Sequence, residues 1–137
     1  MDPLKPNSAI KDMEHREFVR VRLAIAVRYA FLDMAGNRLP PGVSEASCVN
    51  ISAGGLLLQA RMPELAWISD LLTQKMAVAV SIPLPTEVEP VKGIARASWI
   101  ETVDPANHRC NLGLKFKEIA REDQDKIFRF VVKSQIG

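Results

Sequence analysis

The sequence predicts an all-β domain, a small antiparallel barrel or sandwich of about six short strands, followed by one C-terminal helix. Two observations predict it. Between Val21 and Ile119 apolar residues recur with a period of two, in short runs separated by Gly- and Pro-rich turns. Only beyond Ala120 does that period give way to a helical one. The 137 residues, 47% of them apolar, suit a single domain with a proper core.

Residues 1–13 carry Pro3, Pro6, several charges and few anchoring apolar groups, so they are expected to form a flexible arm before a folded domain of residues 14–137. From Val21 the alternation is clear. Val21, Leu23, Ile25, Val27, Tyr29 and Phe31 take the odd positions, and Arg22, Ala24, Ala26, Arg28 and Ala30 the even ones. This is a strand with one strongly apolar face, which leaves Arg22 and Arg28 toward solvent. Gly36, Asn37, Pro40 and Pro41 turn the chain. "SEASCVNIS" is a second strand, broken by Gly54 and Gly55 before "LLLQA", as in a hairpin or a sharp bend. Residues 61–75, with Pro63 near their start, fit either a short helix or a loop over a barrel end.

Met76, Val78, Val80 and Ile82 mark the next strand, and the Pro-flanked "LPTEVEP" connects it onward. "VKGIARASWIETV" and "RCNLGLKFKEI" follow, the latter alternating Cys110, Leu112, Leu114 and Phe116 with Asn111, Gly113, Lys115 and Lys117. In "REDQDKIFRFVVKSQ", Ile127, Phe128, Val131 and Val132 are expected to share one helical face. Glu122 and Asp123 near its start and Arg129 and Lys133 near its end complement the helix dipole.

Lys and Arg total 18 against 16 Asp and Glu, and a net charge of +2 is too small for general nucleic-acid or membrane binding. Any anion site must be local. The first residues lack the pattern of a signal peptide, and no apolar run reaches the ~18 residues of a membrane span. Cys48 and Cys110 form neither a CxxC pair nor a disulfide framework, so a cytoplasmic protein is expected. Cys48, Cys110 and His108 lack zinc-type spacing. Ser52 is not in a G-x-S-x-G elbow, and His15 and His108 are the only histidines, so neither a metal centre nor a catalytic site is expected. Trp67 and Trp99 are assigned to the core or its cover, although Trp99 on a strand is able to face a partner.

Two short motifs carry the functional reading. "REFVR" sets Arg16 and Arg20 four residues apart before the first strand. Guanidinium forks bind phosphate bidentately, stack on bases and match the O6 and N7 acceptors of guanine. "NISAGG" arranges Asn50, Ser52 and Gly55 as N-x-S-x-x-G. Strand alternation puts Asn50 and Ser52 on one face. Their oxygens suit the N1 and N2 donors of guanine, and Gly55 can take positive φ and lets a ligand approach the backbone. A guanine nucleotide with phosphates satisfies both sets. An Arg pair of this spacing arises by chance about once in ~140 residues, but N/D-x-S-x-x-G in only a few per cent of such chains, so the order of the two motifs carries the case.

"REFVR" followed by "NISAGG" resembles the R-x-x-x-R and [D/N]-x-S-x-x-G motifs of PilZ domains. "CNLGLKF" is similar to that family's penultimate strand motif and "DQDKIFRFVVKSQ" to its closing helix, so the resemblance covers roughly residues 14 to 134. It implies a six-stranded antiparallel β-barrel with a C-terminal α-helix, and a bacterial receptor for cyclic di-GMP (c-di-GMP) rather than an enzyme, without a cofactor. On this resemblance Arg16 and Arg20 grip phosphates and guanine, Asn50 and Ser52 read a guanine, and Gly55 lets the loop close over the ligand.

Asn50 stands where the family more often has Asp, which exchanges a charge-assisted bond for less repulsion from ligand phosphates. His15 stands where a further Arg is common, a position that the resemblance ties to binding one ligand or a stacked pair. With an unperturbed pKa near ~6.5, contact with phosphate there makes binding pH-dependent. The expected mechanism is ordering of the arm up to Arg20 across the barrel face, which changes a surface met in trans by an unidentified downstream protein, the receptor itself being a monomer or homodimer. The rival is a protein-interaction adaptor with a PilZ-like barrel that binds no nucleotide. An oligonucleotide-binding barrel is disfavoured because aromatics are 6% of residues.

Overall fold

The structure is a computed structural model that describes residues 21–136. Six strands, β1 (Val21–Leu32), β2 (Ser44–Ser52), β3 (Gly55–Arg61), β4 (Ala77–Ile82), β5 (Val91–Asp104) and β6 (Arg109–Ile119), form a closed antiparallel barrel. Their order round the wall is β1-β2-β3-β6-β5-β4, with β4 pairing back onto β1. Two long strands close it. Residues 21–29 of β1 pair with β2 while residues 28–32 pair with β4. In the same way β5 gives residues 91–95 to β4 and residues 93–104 to β6. A strand that changes neighbours along its length curls the sheet onto itself, which selects the barrel over the sandwich and leaves no free edge.

The period of two sends Val27, Tyr29 and Phe31 of β1, Val78, Val80 and Ile82 of β4, and Cys110, Leu112 and Leu114 of β6 into a shared interior. Tyr29 and Phe31 meet edge to face at 5.6 Å, and Phe31 meets Trp67 at 5.8 Å, the offset geometry aromatic quadrupoles prefer. Trp67 belongs to α1 (Leu65–Leu72), so the ambiguous segment after β3 is a helix that also buries Leu71 completely.

The C-terminal helix α2 (Arg121–Ile136) rests against β1, β2 and β5. Its buried face is Ile127, Phe130 and Val131, whereas Phe128 is 51% exposed and Val132 37%. That corrects the expected face. The segment carries two overlapping apolar stripes, and the one spaced i, i+3, i+4 from Ile127 is the one turned to the barrel.

Candidate functional site

The N-x-S-x-x-G segment is built on a break in the strand period. Ala46 and Cys48 of β2 are buried at even positions, so unbroken alternation would send Asn50 and Ser52 inward as well. Instead Cys48 pairs with Leu58 and Asn50 with Leu57, which leaves Val49 as an extra residue. This bulge shifts the phase, and the next core residue is Ile51, 0% exposed. Asn50 and Ser52 therefore share the other face, away from the interior.

The two polar side chains do different work. The Ser52 hydroxyl accepts from the Gly54 N–H at 3.1 Å and donates to the Gly55 carbonyl at 3.4 Å, bracing the hairpin between β2 and β3. Ser52 is itself buried. The side-chain oxygen of Asn50 is buried and has no hydrogen-bond partner among the described residues. An unsatisfied buried acceptor costs about 1–3 kcal/mol, which a donor from outside the fold would recover.

Gly55 has a role in packing the barrel wall that does not depend on positive φ. The glycines with positive φ among the described residues are Gly36 and Gly42, not Gly55. Gly55 opens β3 opposite Lys115 of β6, and a Cβ there would run into the Leu114 carbonyl oxygen and lie 3.0 Å from the Lys115 Cα. The close approach is that of β6's own backbone. The hairpin tip is held from two further sides: the Gly54 carbonyl accepts from the Phe116 N–H at 2.9 Å, and the Ala53 carbonyl accepts from Gln124 Nε2 of α2 at 2.7 Å.

Cross-strand register extends this face well beyond the motif. Arg22 lies opposite Asn50, Asn50 opposite Leu57, Leu57 opposite Gly113 and Gly113 opposite Trp99. One row thus runs over five strands from a guanidinium to an indole. Trp99 is 42% exposed and lies over Gly113 so closely that a Cβ on that glycine would come 2.8 Å from the indole Cδ1. Arg22 and Trp99 are the residues of this row that the motifs do not reveal. A glycine inside a strand signals close approach by something, but periodicity alone does not name the neighbour.

Arg16, Arg20 and His15, and the arm of residues 1–13, lie outside the described residues. The described chain begins at Val21, which pairs with Ile51, between Asn50 and Ser52. Arg20 is therefore one residue away from a position paired with the centre of the second motif.

The thiols near the site are not poised for chemistry. Burial pushes the Cys48 thiol up to about 12, and its S–H donates to the Asn50 carbonyl at 3.3 Å. Burial raises the Cys110 thiol too. Among the described residues no three His, Cys, Asp or Glu side chains gather to hold a metal ion, and no helix is long and apolar enough to cross a membrane.

A closed six-stranded antiparallel barrel with an N-x-S-x-x-G hairpin on its wall and a C-terminal helix packed beside it defines a class of small β-barrel domain. The chain belongs to the PilZ domain family, whose model matches residues 14–133. The structure of the Bacillus subtilis inhibitor of motility (MotI/DgrA) is similar with a TM-score of 0.65 at 23% identity, over 88% of this chain and 51% of that one. The K. pneumonia MrkH–c-di-GMP complex is similar at 0.59 and 17% identity, over 88% and 52%. The PilZ domain of Escherichia coli YcgR with c-di-GMP is similar at 0.54 and 11% identity, over 88% and 92%. The chain spans about half the length of the first two proteins. No curated protein matches it at a significant level.

Proposed function

We propose that this domain is a c-di-GMP receptor, not an enzyme, and that its ligand lies on the outer face of β2 and β3 beneath the segment that enters β1. The observation that carries the reading is the buried Asn50 oxygen, without a partner among the described residues, on a face where Arg22 stands opposite and Val21 pairs with Ile51. Guanine offers donors at N1 and N2 for that oxygen, while the arginine motif supplies charge for the phosphates. Membership of the PilZ family and the c-di-GMP bound to MrkH and YcgR support the same ligand.

In this reading Arg16 and Arg20 engage phosphate and guanine, Asn50 accepts from guanine, and Ser52 and Gly55 hold the hairpin that presents Asn50. Trp99, at the far end of the row, offers an exposed ring for a base to pack on. Engagement of the arginines orders residues up to Arg20 across this face, and the altered surface is what a partner protein reads. His15 tunes stoichiometry and pH response from beside the first arginine.

Isothermal titration of the protein with c-di-GMP, with GTP as competitor, tests the proposal. Saturable binding that GTP does not displace and that Arg16→Ala/Arg20→Ala abolishes is expected. Absence of binding in the unaltered protein, or equal binding by the double variant, would overturn it and leave the protein-adaptor reading.

A further inference from the structure

The far wall of the barrel carries a second surface. In the strand order β4 stands across from β3, with β1 and β5 on its two sides. Pairing sets two outward rows there. Arg28 lies opposite Ser81 and Ser81 opposite Lys92, while Ala30 lies opposite Ala79 and Ala79 opposite Ile94. The loop after β1 folds back beside them: the Leu39 N–H donates to the Phe31 carbonyl at 2.9 Å and Arg38 bridges Leu32. Arg38 and Val43 are thereby brought to the rim of a groove of about 460 Å³.

The groove combines an apolar floor with a one-signed rim. Ala30, Ala79, Ile94 and Val43 supply the apolar part, and Arg28, Arg38 and Lys92 are its charged residues, with no carboxylate in the lining. Among the described residues the ion pair is Lys126–Asp123 on α2, and none involves these three cations. The acids nearest in register are outside the lining: Glu45 opposite Arg28 and Glu118 opposite Ile94. Three cations held round one groove raise a local positive potential that a net charge of +2 does not predict.

The chemistry of the occupant follows. The backbone of β4 is paired on both sides, so an added strand has no edge to join, and recognition must use side chains. The lining offers no exposed aromatic on which a base would stack; Tyr29, the aromatic among its residues, is buried. Small apolar side chains flanked by cations instead suit aliphatic side chains interspersed with carboxylates.

We propose that the groove over β1, β4 and β5 docks an acidic segment of a protein partner, its aliphatic side chains on Val43, Ala79 and Ile94 and its carboxylates on Arg28, Arg38 and Lys92. The inference holds whether or not the opposite wall binds a nucleotide, and it is tested without one.

The test is a ¹⁵N–¹H NMR titration of the full chain with a synthetic dodecapeptide, three repeats of Glu-Leu-Asp-Ala, and with its Gln-Leu-Asn-Ala analogue. Saturable shifts clustered at residues 28–30, 38, 79–81 and 92–94 are expected. The neutral analogue should bind about tenfold more weakly, as should the peptide to Lys92→Glu or Arg28→Glu, whose spectra away from the groove report an intact fold. Arg61→Glu, at the end of β3, should bind as the unaltered protein does. No shifts up to ~1 mM peptide, shifts spread over every Lys and Arg face, or equal binding of the neutral analogue would overturn the proposal. So would a single-stranded oligonucleotide that displaces the peptide from this groove.

Discussion

Arg22 on β1 stands directly opposite Asn50 on β2, and the buried Asn50 oxygen has no hydrogen-bond partner among the described residues. A donor-rich side chain and an unsatisfied acceptor thus sit side by side on one face without closing on each other. The cause is local. The extra residue Val49 turns Asn50 out of the core, while Ile51 and Cys48 remain fixed inside it at 0% and 2% exposure.

The two polar residues of the motif should give opposite phenotypes. Ser52→Ala removes two bonds that brace the hairpin, so it is expected to lower unfolding stability by about 1–2 kcal/mol, measured by urea denaturation. Asn50→Ala removes a buried oxygen that bonds nothing among the described residues, so it should leave unfolding stability unchanged or raise it by up to about 1–3 kcal/mol while weakening c-di-GMP binding at least about tenfold in titration calorimetry. A large loss of stability in Asn50→Ala with unchanged binding would assign Asn50 to the fold alone.

Two glycines of neighbouring strands should differ in the same way. Gly55→Ala drives a methyl into the backbone at Leu114, which has little room to yield, and a loss of about 1–3 kcal/mol in thermal denaturation is expected. Gly113→Ala meets first the Trp99 ring, which is partly exposed and able to swing aside. Its cost should be smaller, under about 1 kcal/mol, with a red shift of Trp99 emission read in a Trp67→Phe background.

Gln124 ties α2 to the hairpin tip through the 2.7 Å bond to the Ala53 carbonyl. Gln124→Ala should cost about 0.5–1.5 kcal/mol and speed hydrogen exchange at the Gly54 and Gly55 amides more than in the middle of β6. Uniform acceleration across the barrel would show that the contact supports the whole fold and not the tip.

Alkaline pH should be the weak side of this protein. Burial raises the Cys48 thiol from 9.0 to about 12 and also raises Tyr29 and Cys110. Because the folded state favours the neutral forms, it retains protons that the unfolded chain releases, and stability must fall with pH in that window. For Cys48 the contribution is fully present below pH 9.0 and is lost as the pH climbs toward about 12. Urea midpoints measured from about pH 7 to 11 should stay level and then drop, and Cys48→Ala should flatten part of the drop.

Most of the strands were legible because each buries one face, so the period of two survives in β1, β4 and β6. Three features were not. The inward face of α2 is not legible because Phe128 and Val132 extend an equally apolar stripe, and only docking on the barrel decides between two such faces. Gly55 is also required by the backbone of β6, which lies more than fifty residues further along the chain. Trp99 joined the candidate face only through register with Gly113, a pairing between strands that no single-strand pattern contains.

By itself the sequence determined the strands, the closing helix and the two motifs, because alternation, turn residues and side-chain chemistry are local properties. It also determined that any anion site is confined, since the charges nearly balance at +2. Tertiary structure alone decided which way Asn50 and Ser52 face, because one bulged residue in β2 inverts the strand's phase and is fixed by pairing with β3. It also decided that Arg28, Arg38 and Lys92 share one groove, since barrel closure brings β4 between β1 and β5. Register and closure are relations between distant segments, and the chain acquires them only on folding.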